Sequence, residues 1–120
     1  MTDAVQRFVE GLTRGRTDPI IDCFAPGAVV WHNFDEVELD KATFRQSLDQ
    51  LFELMPQRAF TITGRYGSGD GIVWQYLFEG RNSAGAAVRI SGCWVFKLKD
   101  GLIRRLDEYV DSAQIARIAG

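Results

Sequence analysis

The repeat of apolar residues changes once along the chain, at Pro56, and this change limits the possible folds most. Before Pro56 the spacing is helical. Val5, Phe8, Val9 and Leu12 fall at i, i+3, i+4 and i+7, one stripe of a helix over 3–14 that Gly15 ends. Phe44, Leu48, Leu51, Phe52 and Met55 form the apolar face of a second long helix over 41–55, capped by Asp40 and stopped by Pro56. After Pro56 the spacing is two. RAFTITGRY, GIVWQYLFEG, VRISGCWVFKL and LIRRLDEYV read as four strands, joined by the turn-rich stretches SGDG, NSAG and KDG. Asp100-Gly101 between two such runs is a hairpin signal.

The remaining segments fit around this frame. Asp18-Pro19 reads as an N-cap followed by proline in the first helical position, opening a short helix that Pro26-Gly27 ends. Residues 28–33 form a first strand, and DSAQIARI a last short helix with Asp111 as cap and Gln114 at N3. Helices first and an antiparallel meander afterwards predict one α+β domain over 1–120: a strongly curved, mostly antiparallel sheet packed on the helices of the first half.

Charge and composition exclude several function classes. The net charge is −2 and the basic residues are scattered, so no nucleic-acid surface is expected. No apolar run reaches the ~18 residues of a membrane helix, and MTDAVQRFVEG lacks a signal pattern, so a cytosolic protein is expected. Cys23 and Cys93 are far apart with no CxxC, and read as buried free thiols. No metal motif, phosphate loop or nucleophile elbow is present, so neither a metal nor a cofactor is expected.

The strand GIVWQYLFEG carries a further message. Trp74, Tyr76 and Phe78 share one face and Val73, Gln75, Leu77 and Glu79 the other, so both faces hold large apolar groups. A half-exposed sheet alternates more cleanly. One face covers the core, and a second copy of the chain is the simplest cover for the other, which predicts a homodimer.

The layout resembles the nuclear-transport-factor-2-like superfamily, which includes SnoaL-type polyketide cyclases, ketosteroid isomerases and limonene-epoxide hydrolases. The resemblance rests on AVQRFVEGLTRGRTDPIIDCFAPGAVVWHN and on VFKLKDGLIRRLDEYVDSAQIA, and covers nearly the whole chain. It implies a cone of curved sheet closed by helices around a pocket for a small, largely apolar molecule. Against the isomerases, Phe8 stands where the first helix carries an oxyanion tyrosine, Trp94 near the partner acid, and His32 or Asn33 near the general base. Against the epoxide hydrolases, Trp31 and Asn33 take the water-holding pair, Glu108 the base, Glu79 the acid, and Leu77 the bridging arginine. Leu48 and Phe52 would line the pocket from the long helix.

Glu108 is the leading candidate from the residues themselves. A regular last strand puts it on one face with Leu102, Arg104, Leu106 and Val110, where desolvation raises a carboxylate's basicity; the competing reading is an ion pair with Arg104. In VVWHNF, Trp31 and Asn33 share one face, taken as the pocket wall, and His32 the other. His32 would turn inward only at a bulge, and would then be the natural base near neutral pH. Glu79 faces outward by pattern and inward by the resemblance. The expectation is cofactor-free acid–base isomerisation, cyclisation or hydration. The alternatives are an apolar-ligand-binding module and a dimeric interaction domain of the same fold.

Overall fold

The computed structural model describes residues 3–120, with side chains from Ala4 onward. The amphipathic stripe of the first segment becomes α1 (Asp3–Arg14), followed by α2 (Thr17–Ile21). The strand β1 (Phe24–His32) leads through a short β2 (Glu38–Leu39) into α3 (Lys41–Leu54). Four long strands follow, β3 (Gln57–Ser68), β4 (Gly71–Arg81), β5 (Ala87–Lys99) and β6 (Leu102–Val110), and α4 (Ser112–Ala116) closes the order. The α+β class and the four-strand meander stand as the periodicity predicts.

Local chemistry sets most boundaries. Asp40 caps α3 by accepting from the Thr43 amide at 2.8 Å, and Asp111 caps α4 by accepting from Ala113 at 2.8 Å. Gln114 does not complete a capping box; its Oε1 accepts from the Ser91 amide of β5 instead. Asp100 and Gly101 both have positive φ (53° and 79°), as the tight β5–β6 hairpin requires. Asp18 is not the cap of α2: Arg16 holds that place without a side-chain bond, and Asp18 pairs with Arg45 at 2.7 Å. Pro26-Gly27 does not end a helix but lies inside β1, at a register shift where proline's missing N–H costs no ladder bond.

The six strands form one mixed sheet in the order β2-β1-β6-β5-β4-β3. All pairs are antiparallel except β1–β6. The sheet curls without closing, and its concave face meets α1 and α3. Phe8 touches Phe24, Trp94 and Phe96 edge-on, with ring centroids 5.3–5.9 Å apart. Phe44 and Leu48 of α3 are buried against the same interior.

A bulge decides which side chains of β6 face that interior. In β6, Lys97 opposes Arg105 and Leu98 opposes Ile103, which leaves Arg104 as an extra residue. Ile103 and Leu106 are therefore both buried, and the alternation restarts so that Leu106, Glu108 and Val110 point inward. Arg104 is exposed and is not a partner of Glu108. The competing reading of an ion pair between Glu108 and Arg104 is thus removed by a one-residue shift.

Arg58, at the start of β3, fastens the helical roof. Its Nε donates to Leu12 O at 2.8 Å, Nη1 to Met55 O at 2.9 Å and Nη2 to Thr13 O at 3.3 Å. These carbonyls belong to the last turn of α1 and the end of α3, which leave such acceptors without helical partners. The guanidinium also lies 4.5 Å over the Phe52 ring. Arg58→Met should lower stability by about 1–3 kcal/mol in urea unfolding, because the freed carbonyls are partly buried. An unchanged midpoint would show that water replaces these bonds without loss.

Candidate active site

A row of side chains crosses the concave face. His32 of β1 opposes Glu108 of β6, and Glu108 opposes Trp94 of β5. Tyr76 of β4 opposes Gly92, two residues before Trp94 on the same face. Strand pairing alone therefore gathers an imidazole, a carboxylate, an indole and a phenol, because same-face neighbours on adjacent strands lie within side-chain reach.

Glu108 is the hub. Its Oε2 accepts from Tyr76 Oη at 2.5 Å and from Trp94 Nε1 at 2.9 Å. Its Oε1 lies 3.2 Å from His32 Nε2. The Tyr76 and Trp94 rings stack at 4.0 Å with 20° between planes. The side chains of His32 and Glu108 are only 15% and 20% exposed, so the pair is shielded from solvent.

Burial alone would push the Glu108 carboxyl up. The donors from His32, Tyr76 and Trp94, with the imidazole's charge, outweigh it and hold Glu108 below the usual carboxylate value. The raised basicity expected for Glu108 is therefore not what this site produces. For His32, burial lowers basicity, but the hydrogen bond and charge of Glu108, then Asp35, outweigh it and leave the imidazole above its ordinary value. Burial and the nearby Glu108 charge drive the Tyr76 phenol far up, so it stays neutral and can only donate to the carboxylate.

These groups border a cavity of about 340 Å³. Its walls are otherwise almost wholly apolar: Phe8 and Leu12 from α1, Phe44, Leu48 and Leu51 from α3, Phe60, Phe78 and Ile90 from the sheet, and Ile115 and Ile118 near the C-terminus. Ser47 and Gln50 are the other polar side chains at its edge. The volume suits a small molecule with an apolar body and one polar end.

Of the residues singled out in the sequence, Glu108, His32, Leu48, Trp94 and Phe8 line this cavity. Trp31, Asn33, Leu77, Glu79 and Phe52 do not. The faces of VVWHNF are the reverse of those expected: Ala28, Val30 and His32 point inward, and no bulge at the strand end is needed. Trp31 points outward and meets the Tyr109 ring edge-on at 5.4 Å. Asn33 directly follows β1; its backbone N–H donates to Glu108 O at 3.0 Å and its side-chain Oδ1 accepts from Val110 N at 2.9 Å, so it fixes the backbone from the Glu108 carbonyl to Val110. Glu79 lies on the outer face 4.0 Å from Arg89, Leu77 shares that face, and Phe52 sits under Arg58.

Tyr76 is the site residue that the sequence did not single out. Its inward position was legible from the alternation of β4, and a buried phenol requires a partner for its hydroxyl. Among the described residues no cluster of three or more His, Cys, Asp or Glu side chains could hold a metal ion, and no helix is long and apolar enough to cross a membrane. Cys23 is buried and Cys93 half-buried on the outer face; burial raises both thiols, which makes them poor nucleophiles.

The pair makes stability depend on pH. His32 is raised above an ordinary 6.5, so its contribution is complete below that value and fades as pH rises through the folded value. Glu108 is depressed below an ordinary 4.5, so its contribution is complete above that value and fades as pH falls through the folded value. Both are present between 4.5 and 6.5. The stability lost in His32→Gln, read from urea midpoints, should be larger at about pH 5.5 than at about pH 8.5. Equal losses at the two would mean that the imidazole is not charged beside Glu108.

Comparison with known proteins agrees with this fold. No curated protein sequence matches the chain. Among solved structures, a candidate SnoaL-like polyketide cyclase from Jannaschia sp. CCS1 superposes with a TM-score of 0.83 at 19% identity, covering 99% of this chain and 91% of that one. A candidate hydroxylase from Streptomyces galilaeus gives 0.84 at 12% identity, covering 96% and 78%. An LEH-like epoxide hydrolase from M. tuberculosis gives 0.77 at 16% identity, covering 97% and 86%. At these identities the likeness is one of fold, shared by proteins named for different reactions. The family profile of the SnoaL-like domain matches residues 5–106, and the chain belongs to that family, within the nuclear-transport-factor-2-like fold.

Proposed function

We propose that this protein is a cofactor-free acid–base enzyme acting on a small, largely apolar molecule, with His32 as the proton carrier. The observation that supports this most is the His32–Glu108 pair at the edge of an apolar cavity of about 340 Å³. Nε2 of His32 faces Glu108, which leaves Nδ1 to exchange a proton with a bound molecule. In the neutral form Nε2–H donates to the carboxylate and Nδ1 accepts a proton from an acidic C–H or from water. The resulting imidazolium is stabilised by Glu108, and the proton is then returned to another substrate atom. Return to a different carbon gives isomerisation; ring closure or water attack between the two transfers gives cyclisation or hydration. Glu108 does not itself leave its donors in this scheme. Its task is to orient the ring and stabilise its charge, the division of labour found wherever a carboxylate backs a histidine.

His32→Gln should reduce turnover by roughly two to four orders of magnitude, the usual worth of a general base. Glu108→Gln should cost turnover comparably while the domain still folds. A glutamine carbonyl can accept from Tyr76 and Trp94, but its amide then faces His32 with donors and turns the imidazole to the wrong tautomer. If both variants keep wild-type turnover on an accepted substrate, the proposal fails.

One observation favours a second reading, an apolar-ligand-binding domain without turnover: the polar atoms at the cavity edge are largely satisfied by one another. In that case the two variants should bind the same ligand with little change, and no proton exchange at its acidic position should be detectable in deuterated water.

In this reading the protein works in the cytosol, where its two free thiols, Cys23 and Cys93, would stay reduced. It works as a homodimer joined through the outer sheet face, where Tyr66 and Tyr109 are exposed and Trp31 and Leu77 half-exposed. Light scattering at micromolar concentration should give twice the chain mass of 13.5 kDa; a monomer would remove the dimer from the reading.

A further inference from the structure

Tyr76 reaches Glu108 across a neighbouring strand. It starts on β4, passes over β5 at Gly92 and ends on a residue of β6. The passage is open because position 92 has no side chain. A Cβ built there would collide with Tyr76 Oη and Cζ and lie 2.7 Å from Cε2. No real Cβ contact is that short, so either the ring or the strand would have to move.

Nothing else at position 92 calls for glycine. Its φ is not in the left-handed region, unlike that of Gly27, Gly85 or Gly101. It sits inside a regular ladder, opposite Tyr76 on one side and Val110 on the other. A glycine in such a place weakens the strand, because it contributes no packing and is entropically costly to order. Gly80 of β4 is a useful contrast, since a Cβ there would strike the backbone of Gln57 and its smallness serves strand packing. At Gly92 all three nearest obstructing atoms belong to the Tyr76 side chain.

We infer that Gly92 is a positioning residue: the space left by its missing side chain is the slot that delivers the Tyr76 hydroxyl to Glu108. Any larger residue lifts the phenol off β5, breaks its hydrogen bond to Oε2 and disturbs its stack on Trp94. Glu108 then keeps Trp94 and His32 but loses one of the two donors on Oε2. The carboxylate is free to turn, and the imidazole that it orients turns with it. The inference refines the proton-transfer reading of this same site, on which its importance for turnover rests.

The test needs no substrate. A phenol hydrogen-bonded to a buried carboxylate gives a downfield, slowly exchanging hydroxyl proton resonance, assigned to Tyr76 by its loss in Tyr76→Phe. His32 is the only histidine in the chain, so its ring C–H titration is a single curve. Gly92→Ala should lose the same resonance as Tyr76→Phe and move the His32 titration in the same direction. A Gly92→Ala protein that keeps both the resonance and the wild-type titration overturns the inference. A second comparison stands even where Gly92→Ala folds poorly. In a Tyr76→Leu background, which lacks the three obstructing atoms, the added methyl should leave the melting temperature unchanged or raise it. In the wild-type background the same change should lower it. Equal loss in both backgrounds would show that the strand itself requires glycine, and the inference falls. These readouts are independent of turnover: an inactive wild type that passes them sinks the enzymatic reading and leaves the slot in place.

Discussion

Glu108 has to remain an anion in a largely apolar place, and the rest of the site follows from how that is achieved. Burying a carboxylate without partners costs several kcal/mol, and the group would ordinarily take up a proton instead. Here three donors meet it, from β1, β4 and β5. The helices contribute none of these donors; they supply the roof that keeps water away and makes the bonds strong. The same donors that keep Glu108 charged also prevent it from being a good base. Basicity is passed to His32, whose imidazole gains from the fixed negative charge beside it. A cavity edge built this way carries an imidazole of raised basicity beside a fixed carboxylate.

The site and the sheet register are one problem. Ile103 faces the core, so an unbroken alternation would send Arg105 and Asp107 inward and Glu108 outward. The extra residue Arg104 reverses this, and the outward pair becomes a surface network of Arg105 with Asp107 and Glu38 at 2.8 and 2.7 Å. Asn33 then pins the backbone around Glu108 from the neighbouring strand. The bulge, the strand-end asparagine and the parallel β1–β6 pairing together give Glu108 its direction.

This explains how much of the site was legible in the sequence. The helices and the meander were, because apolar spacing changes period sharply at Pro56. Glu108 was, since a carboxylate on a strand with Leu106 and Val110 stands out. The inner face of β1 was not, because Val29 and Trp31 are as apolar as Ala28 and Val30, and alternation cannot choose between two apolar faces. Trp31 went to the outer face, where Tyr109 packs on it, and so His32 turned inward. The bulge at Arg104 left no mark beyond an unremarkable Arg-Arg pair. Tyr76 was legible as an inward aromatic but not as a donor, because its target lies two strands away, over a glycine that reads in sequence as a weak point in a strand.

The central claim is that the proton shared by His32 and Glu108 resides on the imidazole. Nitrogen-15 NMR of the ring of the lone histidine measures this directly across the pH range. At pH 6.5 the ring should be mostly the imidazolium, with both nitrogens protonated, and above the folded titration point it should be neutral with its proton on Nε2, facing Glu108. A ring whose Nε2 carries no proton would place the shared proton on the carboxylate, and a ring mostly neutral at pH 6.5 would show that Glu108 does not raise its basicity; either result contradicts this arrangement.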